Sequence, residues 1–238
     1  MDKVCKPSML PYMTLAAGGI GLGLRQWLFA AGVDEKGLLI PGHIAGVLSY
    51  GLTAVFFLWL IATVRRANGK DLGKPVAIPA ALGALVGAIA IGESGVREYV
   101  AADSVMGMVA LVCCLLGGIA LLCQALCLIT GRTPGAYIRL ATVIPFIFLL
   151  ISHYRIWSKE PQVQAYFYPF MAGVFLLLYA FFKARFFLEG KGYRQYLYAG
   201  QSALFLSCLS VQGSLSRFYI AMAVWVATDF FRTKEEGL

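Results

Sequence analysis

The sequence predicts an all-α integral membrane protein, a polytopic helical bundle with about eight transmembrane helices. Of its 238 residues, 60% are hydrophobic and only 13% are charged, and the mean hydropathy is +0.76. Soluble domains are about one quarter charged, because their surfaces face water. Apolar runs long enough to cross a hydrocarbon core of about 30 Å recur along the whole chain. Residues 1–238 are therefore predicted to form a single membrane domain.

Each predicted span is an apolar run bounded by charged or turn-forming residues. The first run is longer than a signal-peptide core and carries Arg25 near its end, so a retained helix is expected. Two glycine patterns, Gly19-x-x-x-Gly23 and Gly83-x-x-x-Gly87, predict close packing of the first and third helices against neighbours. The eight spans are Leu10–Ala31, Gly42–Val64, Pro75–Ile91, Val105–Ile129, Ala136–Ser152, Ala165–Phe182, Tyr196–Val211 and Phe218–Phe231.

The distribution of charge between alternate loops predicts the orientation. One side carries fourteen of the twenty Lys and Arg residues, and the twelve acidic residues divide equally between the two sides. By the positive-inside rule, both termini lie in the cytoplasm, and the protein is expected to be a multi-pass protein of a bacterial-type plasma membrane. The whole net charge of +8 then faces anionic lipid headgroups, which explains the pI of 9.2 without a nucleic-acid partner.

An internal duplication is a further hypothesis. The segments Ser94–Tyr99 and Ser214–Tyr219 share the pattern S-x-x-R-x-Y, 120 residues apart. Pro41 and Pro161 are separated by the same interval, and R-x-W occurs at Arg25 and again at Arg155. Because these landmarks occur in the same order, we predict a parallel 4+4 repeat with halves 10–133 and 138–233. The alternative is that helix ends share interfacial Arg and aromatic residues.

Most polar residues of interest fall at the predicted outer ends of the helices. One interpretation is that they are boundary residues that reach the headgroups and pair with one another. The functional interpretation is an outward-facing ligand site, in which four arginines bind a small anionic or polar molecule and the acids are counter-charges. The ligand-binding candidates are Arg25, His43, Glu93, Arg97, Glu98, His153, Arg155 and Arg217, together with Gln26, Asp103, Tyr154 and Gln212 at the same ends.

No sequence element indicates an energy source for transport. The pair Gly190-Lys191 lacks the rest of a phosphate-binding loop. No acidic residue is predicted at mid-membrane, and Asp229 is expected to pair with Arg232 near the inner end. The leading hypothesis is therefore a transporter or a substrate-binding membrane subunit without its own energy source, with room for a membrane or cytoplasmic partner subunit.

Two other classes of function stay open. His43, Glu93 and His153 could provide a zinc site for a membrane enzyme that acts on a lipid or lipid-linked substrate, although no H-x-x-x-H or H-E-x-x-H spacing supports it. The third class is a structural or regulatory membrane component. The six cysteines show no metal-ligand or disulfide spacing, so neither a catalytic residue nor a metal or other cofactor is assigned, and the sequence favours a non-enzymatic role.

Overall fold

The computed structural model describes most of the chain as helix. The described residues are 9–34, 39–40, 42–67, 76–102, 105–157 and 163–231. In these ranges there is no β-strand, only one isolated bridge between Val33 and Leu39, and a 3₁₀ turn lies at Gly213–Leu215. The all-helical prediction is thus confirmed. The α-helices are α1 Leu10–Ala31, α2 Ile44–Arg66, α3 Ala77–Ala102, α4 Val105–Ile129, α5 Ala136–Ala141, α6 Ile144–Trp157, α7 Val163–Glu189, α8 Tyr193–Leu209 and α9 Ser216–Phe230.

Five helical stretches of the described chain are long and apolar enough to cross a membrane, which fits a multi-pass protein. The helices α8, with 17 residues, and α9, with 15, are shorter than these stretches. Eight crossings therefore remain a prediction. The five stretches are Ile44–Arg66, Ala77–Ala101, Val105–Ile129, Ala136–Arg155 and Ala165–Glu189.

Three predicted spans differ from the observed helices. The fifth span is two helices, α5 and α6, joined by a turn at Thr142 and Val143 just before Pro145, whose ring cannot continue a regular helix. The third span does not end near Ile91, because α3 continues to Ala102. The sixth span likewise continues past Phe182 to the end of α7. As a result, Arg97 and Lys183, which we expected in loops, lie inside helices.

The helix α8 is the centre of the bundle. It packs against α1, α2, α7 and α9, and thirteen of its seventeen residues are buried. This position explains why α8 carries more polar residues than a helix that faces lipid, including Gln201, Ser202 and Ser207. Around this centre, α3 packs on α9 and α4, and α6 lies between α4 and α7.

Glycines lie at close helix contacts, but only one of the two predicted patterns is used. Gly83 and Gly87 lie against Thr228 and Trp225 of α9, as predicted. In α1 the prediction was wrong, because a Cβ at Gly19 or Gly23 would meet no atom within 4 Å. The contact instead uses the neighbouring glycines Gly18 and Gly21, which lie against Cys208 and Leu209 of α8.

The helix termini form two groups, one at each end of the bundle. At one end, which we call the Arg25 end, α1 contacts the start of α7 and the residues that follow α8. At the other, the Asp229 end, the last residues of α9 contact α7 and the residue before α3. This is the grouping that alternate crossing predicts.

The structure leaves the 4+4 repeat a prediction. Arg97 lies in the last turns of α3, whereas Arg217 is the second residue of α9, so the matching motifs occupy different parts of their helices. The matching prolines, Pro41 and Pro161, lie outside the described residues, as do most of the basic residues at the two termini.

Candidate functional site

Arg25 is the most deeply buried of the predicted site residues. It lies on a stripe of α1 that faces α8, and its side chain is only 1% exposed. The other buried residues of that stripe are Thr14, Gly18, Gly21 and Leu28, at the helical spacing of three and four. The spacing therefore directs the guanidinium into the bundle and not to the headgroups.

Two neutral acceptors hold the guanidinium, one in α7 and one in the connection after α8. Arg25 Nη2 donates to Gln212 Oε1 at 3.2 Å and to the carbonyl oxygen of Ala165 at 3.3 Å. The second acceptor is free because Pro169, four residues later in α7, has no backbone N–H to donate to it. The proline in α7 thus creates the place where Arg25 binds.

Aromatic rings contact the guanidinium as well. Arg25 Cζ lies 4.9 Å from the centroid of the Phe29 ring and 4.7 Å from that of Tyr168. Tyr50 stacks on Tyr168 with centroids 5.8 Å apart, and the Tyr168 hydroxyl is hydrogen-bonded to Thr53 at 3.2 Å. Cation–π contacts of this kind stabilise a desolvated cation by about 2 kcal/mol.

The charge of Arg25 has no acidic partner in the described part of the chain. None of the ion pairs in those residues includes it. Two buried donors beside it, Arg25 Nε and Gln212 Nε2, also have no hydrogen-bond partner there. Buried polar groups in native proteins are almost always hydrogen-bonded, so two adjacent unpaired donors are unusual. What they would bind is an acceptor.

A second group joins the two arginines of the repeated motif. Arg97 Nη2 lies 2.5 Å from Glu93 Oε1, and Arg217 Nη1 lies 3.9 Å from the same oxygen. Arg97 also donates to the carbonyl oxygen of Ser214 at 2.6 Å. These side chains are exposed, by 41% for Arg97 and 79% for Arg217. The two arginines therefore meet, but on the surface.

A third group, in contrast, is buried between α3 and α6. His153 Nε2 lies 3.3 Å from Glu98 Oε1, and Ser152 Oγ donates to the other oxygen of this carboxylate. The His153 ring stacks on Trp157, with centroids 5.0 Å apart. Since both Ser152 and His153 bind the carboxylate, this arrangement joins two helices and does not activate the serine through the histidine.

The two remaining candidates take no part in these groups. His43 is the N-cap of α2, where its Nδ1 accepts from the backbone N–H of Ala45 at 3.3 Å. Arg155 is exposed near the end of α6, and Asp103 lies outside the described residues. No three His, Cys, Asp or Glu side chains in the described ranges converge on a metal position. Glu93 pairs with arginines and His153 with Glu98, so the proposed zinc ligands are not brought together.

A buried cluster at the Asp229 end was not predicted from the sequence. Lys183 Nζ lies 3.0 Å from Asp229 Oδ1, and the hydroxyls of Tyr179 and Tyr196 donate to Oδ2 at 2.7 and 2.6 Å. We had expected Asp229 to pair with Arg232, which lies outside the described residues. The signal was an acidic residue, Asp229, and a basic residue, Lys183, each within an apolar run, a combination typical of a buried pair.

Comparison with known proteins adds no further constraint. No protein-family model, curated protein or solved structure matches the chain.

Proposed function

We propose that the protein binds a small anionic molecule, or lets it pass, at the Arg25 end, and that Arg25 contacts the charged group of this ligand. The observation that carries the proposal is a buried guanidinium with no carboxylate partner in the described residues and with an unpaired Nε donor. An uncompensated buried charge costs several kcal/mol, so it is rarely retained without a role.

The donors and the charge together favour an anion over a neutral ligand. Arg25 Nε and Gln212 Nε2 belong to two side chains that are hydrogen-bonded to each other through Arg25 Nη2 and Gln212 Oε1. Both atoms carry hydrogens to donate, so the complementary ligand presents acceptors. A carboxylate or phosphate accepts such bonds and also neutralises the guanidinium, and a charge-assisted bond is worth about 1.5–3 kcal/mol.

The proposal includes an orientation. The Arg25 end faces outward, both termini lie in the cytoplasm, and the basic Asp229 end contacts anionic headgroups. Exposed Arg65 and Arg66 at the end of α2 support this assignment by the positive-inside rule. A reporter enzyme fused after Leu238 should be active only in the cytoplasm, and outside activity would contradict eight crossings. The binding proposal does not depend on the 4+4 repeat.

The direct test uses the purified protein in lipid nanodiscs. The thermal unfolding midpoint is measured with sodium phosphate, sodium acetate and sodium chloride at equal ionic strength. We expect phosphate or acetate to raise the midpoint above its value in chloride. Arg25→Gln should weaken the apparent affinity about tenfold or more, since one charge-assisted bond accounts for that factor.

Arg155→Gln is the matched control, because Arg155 is an exposed arginine at the same end of the bundle. It should keep the wild-type response. Equal responses of wild type and Arg25→Gln to every anion would overturn the proposal. Comparing nanodiscs of phosphatidylcholine, whose headgroup is zwitterionic, with nanodiscs that contain anionic lipid distinguishes a soluble anion from an anionic lipid headgroup.

A membrane enzyme is the alternative function, and the buried Glu98–His153 pair is the observation that favours it. This pair offers an acid and a base, but without a third ligand for a metal in the described residues. A partner subunit that supplies energy for transport would be needed only if passage proves to be active.

A further inference from the structure

A row of aromatic side chains joins α2 to α7 and begins at the Arg25 site. Tyr50 of α2 stacks on Tyr168, the residue that contacts the guanidinium, with centroids 5.8 Å apart. Further along both helices, the rings of Phe57 and Phe175 lie 5.7 Å apart. This second contact follows the first by two turns of each helix, which is about 10 Å. The row therefore leads away from Arg25 toward the middle of the bundle.

The rings fill a gap between two helices whose backbones are not closely packed. α2 packs directly against α1 and α8, and it reaches α7 mainly through ring side chains. Behind the rings, α8 closes the gap with Tyr198, whose ring lies 6.3 Å from that of Phe57 and 6.0 Å from that of Phe175. We call these rings the α2–α7 row; its members are Tyr50, Phe57, Phe167, Tyr168, Phe175 and Tyr198.

One side of the row is exposed on the surface of the bundle. Tyr50 is 45% exposed and Phe167 is 42% exposed, and their ring centroids are 6.2 Å apart. Phe57 and Phe175 are half-buried, whereas Tyr168 is buried beneath Tyr50. Both α2 and α7 contain stretches that are long and apolar enough to cross a membrane. In a bilayer, hydrocarbon chains therefore contact the exposed side of the row directly.

The charge and the row lie at successive depths. Arg25 precedes the last residue of α1, Ala31, by about 9 Å of helix, and Tyr50 follows the first residue of α2, Ile44, by the same length. From this level the row continues about 10 Å further along α2 and α7. A single-chain amphiphile in a membrane has the same order, with one charged group near the boundary and hydrocarbon below it.

On the basis of the proposed anion site, we infer that its ligand is an amphipathic anion, a carboxylate or phosphate carried on a single hydrocarbon chain, which enters from the membrane between α2 and α7. The anionic group accepts from Arg25 Nε, a buried donor without a partner in the described residues. The chain lies along the exposed side of the α2–α7 row, where the burial of its methylene groups adds to the affinity.

The charge and the surface together favour this class of ligand. A neutral chain covers the row but leaves the guanidinium uncompensated, and acetate or inorganic phosphate compensates the charge but makes no use of the row. The guanidinium is also covered by the rings of Phe29 and Tyr168, with Tyr50 stacked on Tyr168, so a ligand reaches it past apolar groups. A chain that already lies between α2 and α7 approaches by this route.

The test measures the unfolding midpoint in phosphatidylcholine nanodiscs with acetate, butyrate, hexanoate and octanoate at equal ionic strength. The apparent affinity should rise at least about tenfold from acetate to octanoate, since the burial of about two methylene groups accounts for that factor. Arg25→Gln should weaken the response to these anions about tenfold. 1-Octanol has a chain of the same length without the charge, so its effect should be equal in wild type and Arg25→Gln.

Phe57→Ala separates the contribution of the chain from that of the charged group. It should lower the apparent affinity for octanoate about fivefold and leave that for acetate unchanged, because Phe57 is about 10 Å from the level of Tyr50. Phe181→Ala is the matched control, since Phe181 is an exposed phenylalanine of α7 whose ring contacts its neighbour Phe182. It should bind octanoate like wild type. If Phe57→Ala does not fold, Phe167→Ala at a half-exposed position replaces it.

The outcomes separate the ligand class from the anion site itself. If octanoate binds no more tightly than acetate while both responses require Arg25, the inference is overturned and the proposed anion site stands. An octanoate response that is unchanged in Arg25→Gln, or that 1-octanol reproduces, reports partition into the bilayer and also overturns the inference. If no anion response requires Arg25, the proposed function fails, and the inference fails with it.

Discussion

Arg25 and Asp229 are buried charges at opposite ends of the same bundle, and their surroundings differ in one respect. Asp229 is surrounded by partners: an ammonium group from α7 and hydroxyls from α7 and α8 bind its two oxygens. Among the described residues, Arg25 binds only neutral groups and keeps an unpaired donor. A buried charge is therefore not in itself a sign of a ligand site. The two residues differ in whether other groups of the protein supply the opposite charge and the hydrogen-bond partners.

The contacts of the Asp229 cluster hold helices together. Lys183 is 13% exposed and Asp229 is 7% exposed, and the lysine ammonium also lies 5.4 Å from the centroid of the Trp225 ring. The cluster links α7, α8 and α9, the helices that form the centre of the bundle. Its bonds connect protein to protein, so a ligand has nothing to supply.

The largest expected change in stability follows from removing the charge of Asp229. Asp229→Asn should lower the free energy of unfolding by about 3–5 kcal/mol, because it leaves the Lys183 ammonium buried without its counter-charge. The double variant Asp229→Asn with Lys183→Met should recover a large part of the loss. Denaturation of the purified protein in detergent measures both. A double variant less stable than the single one would show that the pair is not the source of the effect.

Arg25→Gln should cost less stability, about 0–2 kcal/mol, although Arg25 is the more deeply buried of the two charges. The variant loses two hydrogen bonds, but it also removes a charge that no acidic side chain compensates. The same denaturation experiment gives the comparison directly. If Arg25→Gln lowers the free energy of unfolding as much as Asp229→Asn, Arg25 has a partner within the protein that the described contacts do not show. The proposed anion site then loses its basis.

Pro169→Ala should weaken anion binding about fivefold without loss of the fold. The alanine has a backbone N–H that donates to the Ala165 carbonyl oxygen, so Arg25 Nη2 competes for its acceptor. One neutral hydrogen bond, about 1 kcal/mol, corresponds to this factor. The anion titration described above measures it, and Pro145→Ala, at the start of α6, is the control. Unchanged anion affinity in Pro169→Ala would show that the freed carbonyl does not position Arg25.

The smallest effects are expected for the surface arginines of the repeated motif. Arg97→Gln and Arg217→Gln should each change the unfolding free energy by less than about 1 kcal/mol, because exposed ion pairs contribute little. Arg97→Gln should have the larger effect, since Arg97 also donates to the Ser214 carbonyl oxygen. Anion titration of both variants completes the comparison. A tenfold loss of anion affinity in either variant would show that the ligand binds at the surface arginines and not at Arg25.

The sequence predicted several features correctly, and each depended on a local pattern. Hydropathy located α1 and α4 to the residue and α2, α8 and α9 to within three residues at each end, because apolar length is a property of the segment itself. The Gly83–Gly87 pattern identified a real contact. The grouping of Arg25, Glu93, His153 and Arg217 at one end followed from alternate crossing, which needs no tertiary information.

Other features could not be obtained in this way. Hydropathy cannot tell a charge in the last turns of a helix from one in a loop, so Arg97 and Lys183 were placed wrongly. Glycine spacing identified a close-packing helix in α1 but not its face, because Gly18–Gly21 and Gly19–Gly23 both match helical periodicity. The partner of Asp229 comes from a helix 46 residues away, and no local rule favours it over Arg232.

The sequence by itself determined that this chain is a bundle of apolar helices and which helix ends lie together. The reason is that the free energy of moving a segment from water into a membrane depends on the residues of that segment alone. Only the tertiary structure decided which buried polar groups find a hydrogen-bond or ion-pair partner within the protein. Hydrogen bonds act over about 3 Å. The helix rotations that bring Lys183 to Asp229, and that leave Arg25 Nε without a partner among the described residues, arise from packing among α1, α7, α8 and α9.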